Sequence, residues 1–213
     1  DYVRETAVIP VIETGRGVVH IYFDETGDRD KGKAIIQNAK TRRPSVCNSL
    51  DTLLIHKSRL DDLPVLVGDM AAKNVHIYAD DLSKSALENE YPANLIGTMT
   101  TETLDTEFLG LKMNICAVEN PDQALLHIRQ YGSGHTDAVI CEDDAVAQKF
   151  VAGVDSAVVM VNASTAFSDG GEFGLGAEIG ISTQKLHARG PMGLAPLTSY
   201  KWVLSGNGQI RAA

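Results

Sequence analysis

Cysteine is scarce in this 213-residue chain: Cys47, Cys116 and Cys141 are the only three, and none forms a CxxC pair. An odd, widely spaced set argues against a disulfide framework or a cysteine zinc site, and fits a reducing, cytoplasmic compartment. No apolar run reaches the length of a membrane span, so no membrane partner is expected, and the first residues lack the pattern of a signal peptide. Positive charge is in deficit. A formal net charge of −9 argues against unspecific nucleic-acid binding, which needs a basic surface to displace counterions. His20, His56, His76, His127 and His135 show no ligand spacing, so no metal is expected. Internal repeats and low-complexity segments are missing too.

What remains is ordinary globular material, 44% hydrophobic and 22% charged. The length suits one domain, or one plus a small appendage, and can bury a core without staples. Asp1 rather than Met opens the chain, which suggests a segment of a longer protein.

Strand-like and helix-like segments alternate. Residues 17–23 (GVVHIYF) read as a strand and 28–40 as a helix that Pro44 ends, since the residue before proline leaves the α region. Residues 52–56 (TLLIH) read as a short buried strand. Ser58 is placed to cap a helix striped by Leu60, Leu63, Val67, Met70 and Ala71. Residues 75–79 read as a strand, 83–89 as a short helix, 91–105 as a loop and 108–118 as largely extended. Asn120 followed by Pro121 starts a helix that Gly132 stops. Residues 137–141, 143–151 and 157–162 read as strand, helix and strand. Such βα units predict an α/β fold with a mostly parallel, doubly wound sheet. Residues 163–180 are glycine-rich, which signals tight turns or close approach to a ligand. Residues 197–204 (LTSYKWVL) read as a strand beyond the compact part, free to pair with a neighbouring chain.

Cys47 is the cysteine best placed for chemistry. It follows a helix end in Arg42-Arg43-Pro44-Ser45-Val46-Cys47-Asn48. The cluster Lys40, Arg42 and Arg43 opposes the global charge, and nearby cations favour the reactive thiolate. A lone cysteine is more often a small buried hydrophobe, and Cys116 and Cys141 fit that description. Glu13, before Gly15, is placed to face a site at a strand end, although a solvated glutamate is the commoner case. The Gly15-Arg16-Gly17 pair is weak as a phosphate loop, since no third glycine or helix follows.

Glu13 precedes Cys47 by 34 residues. This interval resembles the aldehyde dehydrogenase pattern of a glutamate ahead of a nucleophilic cysteine. Glu107-Phe108-Leu109-Gly110-Leu111 resembles the superfamily's Glu-x-Phe-Gly-Pro ribose-contact motif, with Leu109 in place of the phenylalanine and Leu111 in place of the proline. Three stretches resemble gamma-glutamyl phosphate reductase more narrowly: 44–48 (PSVCN), 161–165 (VNAST) and 171–178 (GEFGLGAE), the last running on through 182–193. The similarity covers nearly the whole chain.

That resemblance implies an aldehyde-dehydrogenase-like catalytic domain. Residues 1–15 would end a dinucleotide-binding part, 16–194 form the catalytic domain, and 195–213 an oligomerisation strand. It implies reduction of L-glutamyl 5-phosphate to L-glutamate 5-semialdehyde with NADP(H), releasing phosphate, in proline biosynthesis. Cys47 would be the nucleophile and pass through a thioester. The backbone N–H of Cys47 would face the oxyanion, and a second, side-chain donor would lie outside this segment. Glu13 would be a site residue whose role in a reductase, base or orienting group, stays open. Glu107 and Phe108 would touch the cofactor. Arg43, Ser45, Asn48, Asn162, Ser164 and Thr165 would meet the substrate, the last three beyond a strand's C-terminus where ligands of open α/β sheets gather. For Arg43 a solvated helix-end role stands at even weight. The loop 169–176 would wrap the α-amino and α-carboxylate groups. His187 and Arg189 would either touch substrate or tie loops together. The family is oligomeric, and a glutamate 5-kinase partner or fusion is left open. A hydrolytic dehydrogenase of the same fold and a binding module without turnover are the competing readings.

Overall fold

The computed structural model describes residues 2–186 and 188–212. His187 lies outside the described residues. After a short helix α1 (Tyr2–Thr6) and an irregular approach, the chain enters strand β1 (Val19–Phe23), every residue of which is buried. Helix α2 (Arg29–Thr41) begins where the Asp28 carboxylate accepts the Lys31 N–H at 2.8 Å, and it turns Ile36, Ala39 and Lys40 inward. Strand β2 (Leu50–His56) follows, again wholly buried.

The helix expected after Ser58 is instead three short pieces: 3₁₀ turns at Lys57–Asp62 and Gly68–Lys73 flank helix α3 (Leu63–Val67). Pro64 forces a restart, because it cannot donate to the preceding turn. The cap is His56 rather than Ser58. Its Nδ1 accepts the Ser58 N–H at 3.2 Å, and its ring meets the Ser58 hydroxyl at 2.7 Å. Strand β3 (His76–Ala79) and helix α4 (Asp81–Ala86) come next. The segment expected as a loop holds strand β4 (Ile96–Thr98) and helix α5 (Thr101–Leu104). Three residues of edge strand are too few to show a period. Regular extension starts only at strand β5 (Lys112–Val118). Helix α6 (Pro121–Tyr131) is capped by Asn120 and ended by Gly132, as the sequence predicts. Strand β6 (Thr136–Ile140), helix α7 (Asp144–Gly153) and strand β7 (Val158–Val161) complete the main body.

Seven strands pair in the order β4-β3-β5-β2-β1-β6-β7, and every pairing is parallel. Alternate residues of β1 feed two cores. Ile21 and Phe23 pack with Leu53, Ile55, Leu63 and Leu66 under α2 and α3. Tyr22 packs with Leu54, Val139, Ile128 and Phe150 under α6 and α7. A two-stranded antiparallel ribbon, β8 (Gly180–Ser182) with β9 (Gly190–Met192), lies apart from the sheet.

The strand expected over 197–204 is not formed. A 3₁₀ turn occupies Ala195–Leu197, and the residues beyond have no regular structure. Tyr200, Trp202 and Leu204 are 84%, 91% and 98% exposed. A strand exists only through its ladder, and this segment has no ladder partner among the described residues. No helix among the described residues is long and apolar enough to cross a membrane.

Candidate active site

Cys47 sits in the connection that enters β2, so it lies at the N-terminal edge of the parallel sheet. The turn 46–49 closes with the Ser49 N–H on the Val46 carbonyl at 3.0 Å and leaves the thiol half-buried. Neighbouring segments reach the same edge. Gly17 lies just before β1, and Glu107 and Phe108 precede β5. A Cβ on Gly17 would stand 2.0 Å from the Cys47 carbonyl oxygen, so only glycine permits this approach. The Gly17 N–H donates to Glu107 Oε1 at 3.0 Å.

The site therefore forms where α-to-β connections enter the sheet, not beyond strand C-termini as the sequence reading had it. Residues after β7 reach it because the chain doubles back. The Thr165 hydroxyl donates to the Asn48 carbonyl at 2.8 Å, and Asn48 Nδ2 donates to the Ser168 carbonyl at 3.0 Å. Ser164 stands one step away, its hydroxyl on Asn38 Oδ1 at 2.7 Å. Asn162 does not join them. It closes the opposite edge, where its amide accepts the Cys141 N–H at 3.0 Å and donates to the Cys141 carbonyl at 2.7 Å.

Electrostatics correct a second expectation. The Cys47 thiol is held above its ordinary pKa, first by burial, then by the Glu178 carboxylate and more weakly by Glu107. The backbone N–H groups of Cys47 and Asn48 pull the other way. The cations invoked from the sequence do not offset this. Arg42 and Arg43 are exposed, and Lys40 is wholly buried. Burial also pushes Cys116 up to about 12 and Cys141 to about 11.

Glu13 stands in the irregular approach to β1, not at a strand end. Its Oε1 pairs with Arg4 at 3.0 Å, and its backbone N–H donates to Gln184 Oε1 at 3.1 Å. Ser45 is exposed beside Arg43. The Phe108 ring stacks on Tyr78 at 5.7 Å. Arg189 ties loops together, its guanidinium on the Asp155 carbonyl and carboxylate at 2.8 and 2.9 Å. Gly17 lies against the Cys47 backbone and the Glu178 carboxylate acts on its thiol, contacts that the sequence reading, which quoted 15–17 and 171–178, did not assign to either residue. Each meets Cys47 only through the fold, so its local stretch carries no sign of that contact. Among the described residues no group of His, Cys, Asp and Glu could hold a metal.

A gamma-glutamyl phosphate reductase of Legionella pneumophila (strain Paris) is 59% identical over 211 residues, covering 99% of this chain and 51% of the relative. Over nearly its whole length the chain is similar to about half of a gamma-glutamyl phosphate reductase. It spans about half the length of the curated relatives it matches. A crystal structure of the gamma-glutamyl phosphate reductase from Thermotoga maritima is 42% identical with a TM-score of 0.89, over 99% of this chain and 50% of that one. An acetylating aldehyde dehydrogenase from Geobacillus thermoglucosidasius shares the fold at 16% identity and a TM-score of 0.73, over 100% of this chain and 55% of that one. No family model matches the chain.

Proposed function

We propose that this chain is the covalent-catalysis portion of an enzyme that reduces L-glutamyl 5-phosphate to L-glutamate 5-semialdehyde and releases phosphate, in proline biosynthesis. The carrying observation is the Cys47 turn at the seam of the segments bearing Gly17 and Glu107, in a chain similar to about half of a gamma-glutamyl phosphate reductase. The ionised Cys47 sulfur attacks the acyl carbon. A carbon–sulfur bond forms, the carbon–oxygen bond to phosphate breaks, and phosphate departs with the bonding pair. Covalent catalysis of this kind divides one hard step into two. The Cys47 and Asn48 N–H groups, which face the sulfur, are placed to meet negative charge on the neighbouring oxygen. Arg43 and Ser45, exposed beside the turn, meet the substrate's phosphate or carboxylate, which an arginine fork binds bidentately. Asn48, Ser164 and Thr165 shape the wall through their internal bonds. We leave Asn162 out of the substrate site, because it is engaged with Cys141 at the other edge.

The residues present fit a nicotinamide cofactor in one respect. Glu107 commits Oε1 to the Gly17 N–H, and its other oxygen would take a ribose hydroxyl. NADPH, when bound there, supplies the hydride that carries the thioester to the aldehyde. The rest of its site belongs to the half of the relatives that this chain does not span. Three free cysteines suit a cytoplasmic setting. The exposed segment through Trp202 suits pairing with a second copy. A glutamate 5-kinase partner rests on the resemblance alone.

The test is the full-length enzyme run in the oxidising direction. Phosphate-dependent oxidation of the semialdehyde is expected. Phosphate-independent release of glutamate would instead assign a hydrolytic dehydrogenase with Glu13 as base, and would sink this reading.

A further inference from the structure

Beneath the Cys47 turn lies a charged pair that the proposed chemistry does not touch. Lys40 on α2 is wholly buried, and Asp51 on β2 is 2% exposed. The Lys40 ammonium donates to the Leu50 carbonyl at 2.7 Å and stands 3.9 Å from Asp51 Oδ1. The Asp51 carboxylate accepts two backbone N–H groups, from Val19 at 3.3 Å and from Phe108 at 3.1 Å. Burying two charges costs desolvation that their attraction barely offsets, so such a pair is a poor source of stability. What it supplies is direction, because each carboxylate oxygen is committed to a different chain segment.

Those segments are the ones that surround the thiol. Val19 follows Gly17, which packs against the Cys47 carbonyl, and Phe108 follows Glu107, which holds the Gly17 N–H. Leu50, whose carbonyl Lys40 grips, follows the Cys47 turn itself. Residues 105–111 form no strand or helix, so the Phe108 bond to Asp51 anchors a stretch that no ladder fixes. The geometry closes a ring from α2 through β2 to both flanking segments and back to Cys47.

We infer that the Lys40–Asp51 pair is a positioning element that holds Gly17 and Glu107 against the Cys47 turn. The inference deepens the reductase reading and rests on it for turnover, but not for the geometry of the thiol. The charged groups that face the thiol are Glu178 and Glu107, opposed by the Cys47 and Asn48 N–H groups. Loosening the 107–108 segment withdraws one of the two carboxylates that hold the thiol up.

The experiment uses the 213-residue chain with Lys40→Met and Asp51→Asn combined, which removes both charges together. Alkylation of each cysteine by iodoacetamide is followed by peptide mass spectrometry across roughly pH 6 to 10, a span that brackets ordinary thiol ionisation. The Cys47 profile is expected to move to lower pH, and a shift of one unit raises its rate near neutrality about tenfold. Cys116 and Cys141 keep their rates. A Cys47 profile that superimposes on the parent's, in a folded variant, overturns the inference. If the variant does not fold, amide exchange on the unmutated chain decides. The Phe108 N–H is expected to be protected despite lying outside any strand, and exchange at an open-loop rate overturns the inference. In the full-length enzyme the same change lowers kcat with little effect on KM. Failure of the reductase assay leaves the labelling result standing, so the two readings fail separately.

Discussion

At the residue scale the site depends on contacts too close for substitution. Gly17→Ala drives a methyl group into the Cys47 carbonyl, and overpacking of this kind costs about 1–3 kcal/mol. The expected outcome is a lower Tm together with reduced alkylation selectivity between Cys47 and the other two thiols, read by calorimetry and peptide mapping. Cys47 in the parent chain is expected to label slowly at neutral pH and faster as pH rises, because burial and the Glu178 carboxylate favour the thiol. Fast labelling near pH 7 would contradict that ordering. The buried pair gives a signed pH dependence. Burial pushes the Asp51 carboxyl up to about 6, so its contribution to stability is present below the unfolded carboxyl value and lost as pH rises through about 6. Burial depresses Lys40 to about 8, so its contribution is present above the unfolded lysine value and lost as pH falls through about 8. Both losses overlap between those two values, where both groups are charged. The doubly neutral Lys40→Met, Asp51→Asn variant is therefore expected to equal or exceed the parent's stability by about 1–4 kcal/mol there. Urea melts at several pH values, with the largest difference inside that window, check this.

At the element scale local chemistry explains most of what the sequence shows. Asn120 caps α6 through a 3.0 Å bond from the Gln123 N–H, and Pro121 supplies the fixed first turn. Asn120→Ala is expected to cost about 1 kcal/mol, seen as a drop in Tm without loss of the sheet. The main strands were legible because buried parallel strands read as continuous β-branched and aromatic runs. Other expectations failed for physical reasons. Strand β4 is a three-residue edge whose regularity exists only through pairing with β3. The helix expected after Ser58 is broken into short pieces, with Pro64 in the first turn of α3. Residues 197–204 have strand composition and no strand, because composition cannot provide a partner.

At the scale of the whole molecule, one parallel sheet with helices on both faces collects the N-terminal ends of β1, β2 and β5 into one edge. Under the proposed function, the cofactor-bearing part of the enzyme is supplied by the length of the relatives that this chain does not span. The 213-residue chain alone is therefore expected to show no NADPH oxidation with glutamyl phosphate, followed by absorbance, and measurable turnover would defeat that expectation. Exposed Tyr200, Trp202 and Leu204 present apolar surface, with the Tyr200 and Trp202 rings edge to face at 5.9 Å. Self-association is expected by sedimentation, and Trp202→Glu is expected to weaken it.

The sequence by itself determined the alternation of strands and helices, the cap at Asn120 and the resemblance to gamma-glutamyl phosphate reductases. These follow from local propensity, short-range hydrogen bonding and long matching runs. Only the tertiary structure decided which edge of the sheet bears the site, that Lys40 is a buried anchor rather than a surface cation, and that carboxylates rather than cations face the thiol. Asn162 and Thr165, three residues apart in sequence, part to different edges, while Gly17, Cys47 and Glu107 converge. The physical reason is that burial and charge at a point depend on every segment that reaches it, and those segments are distant in the chain.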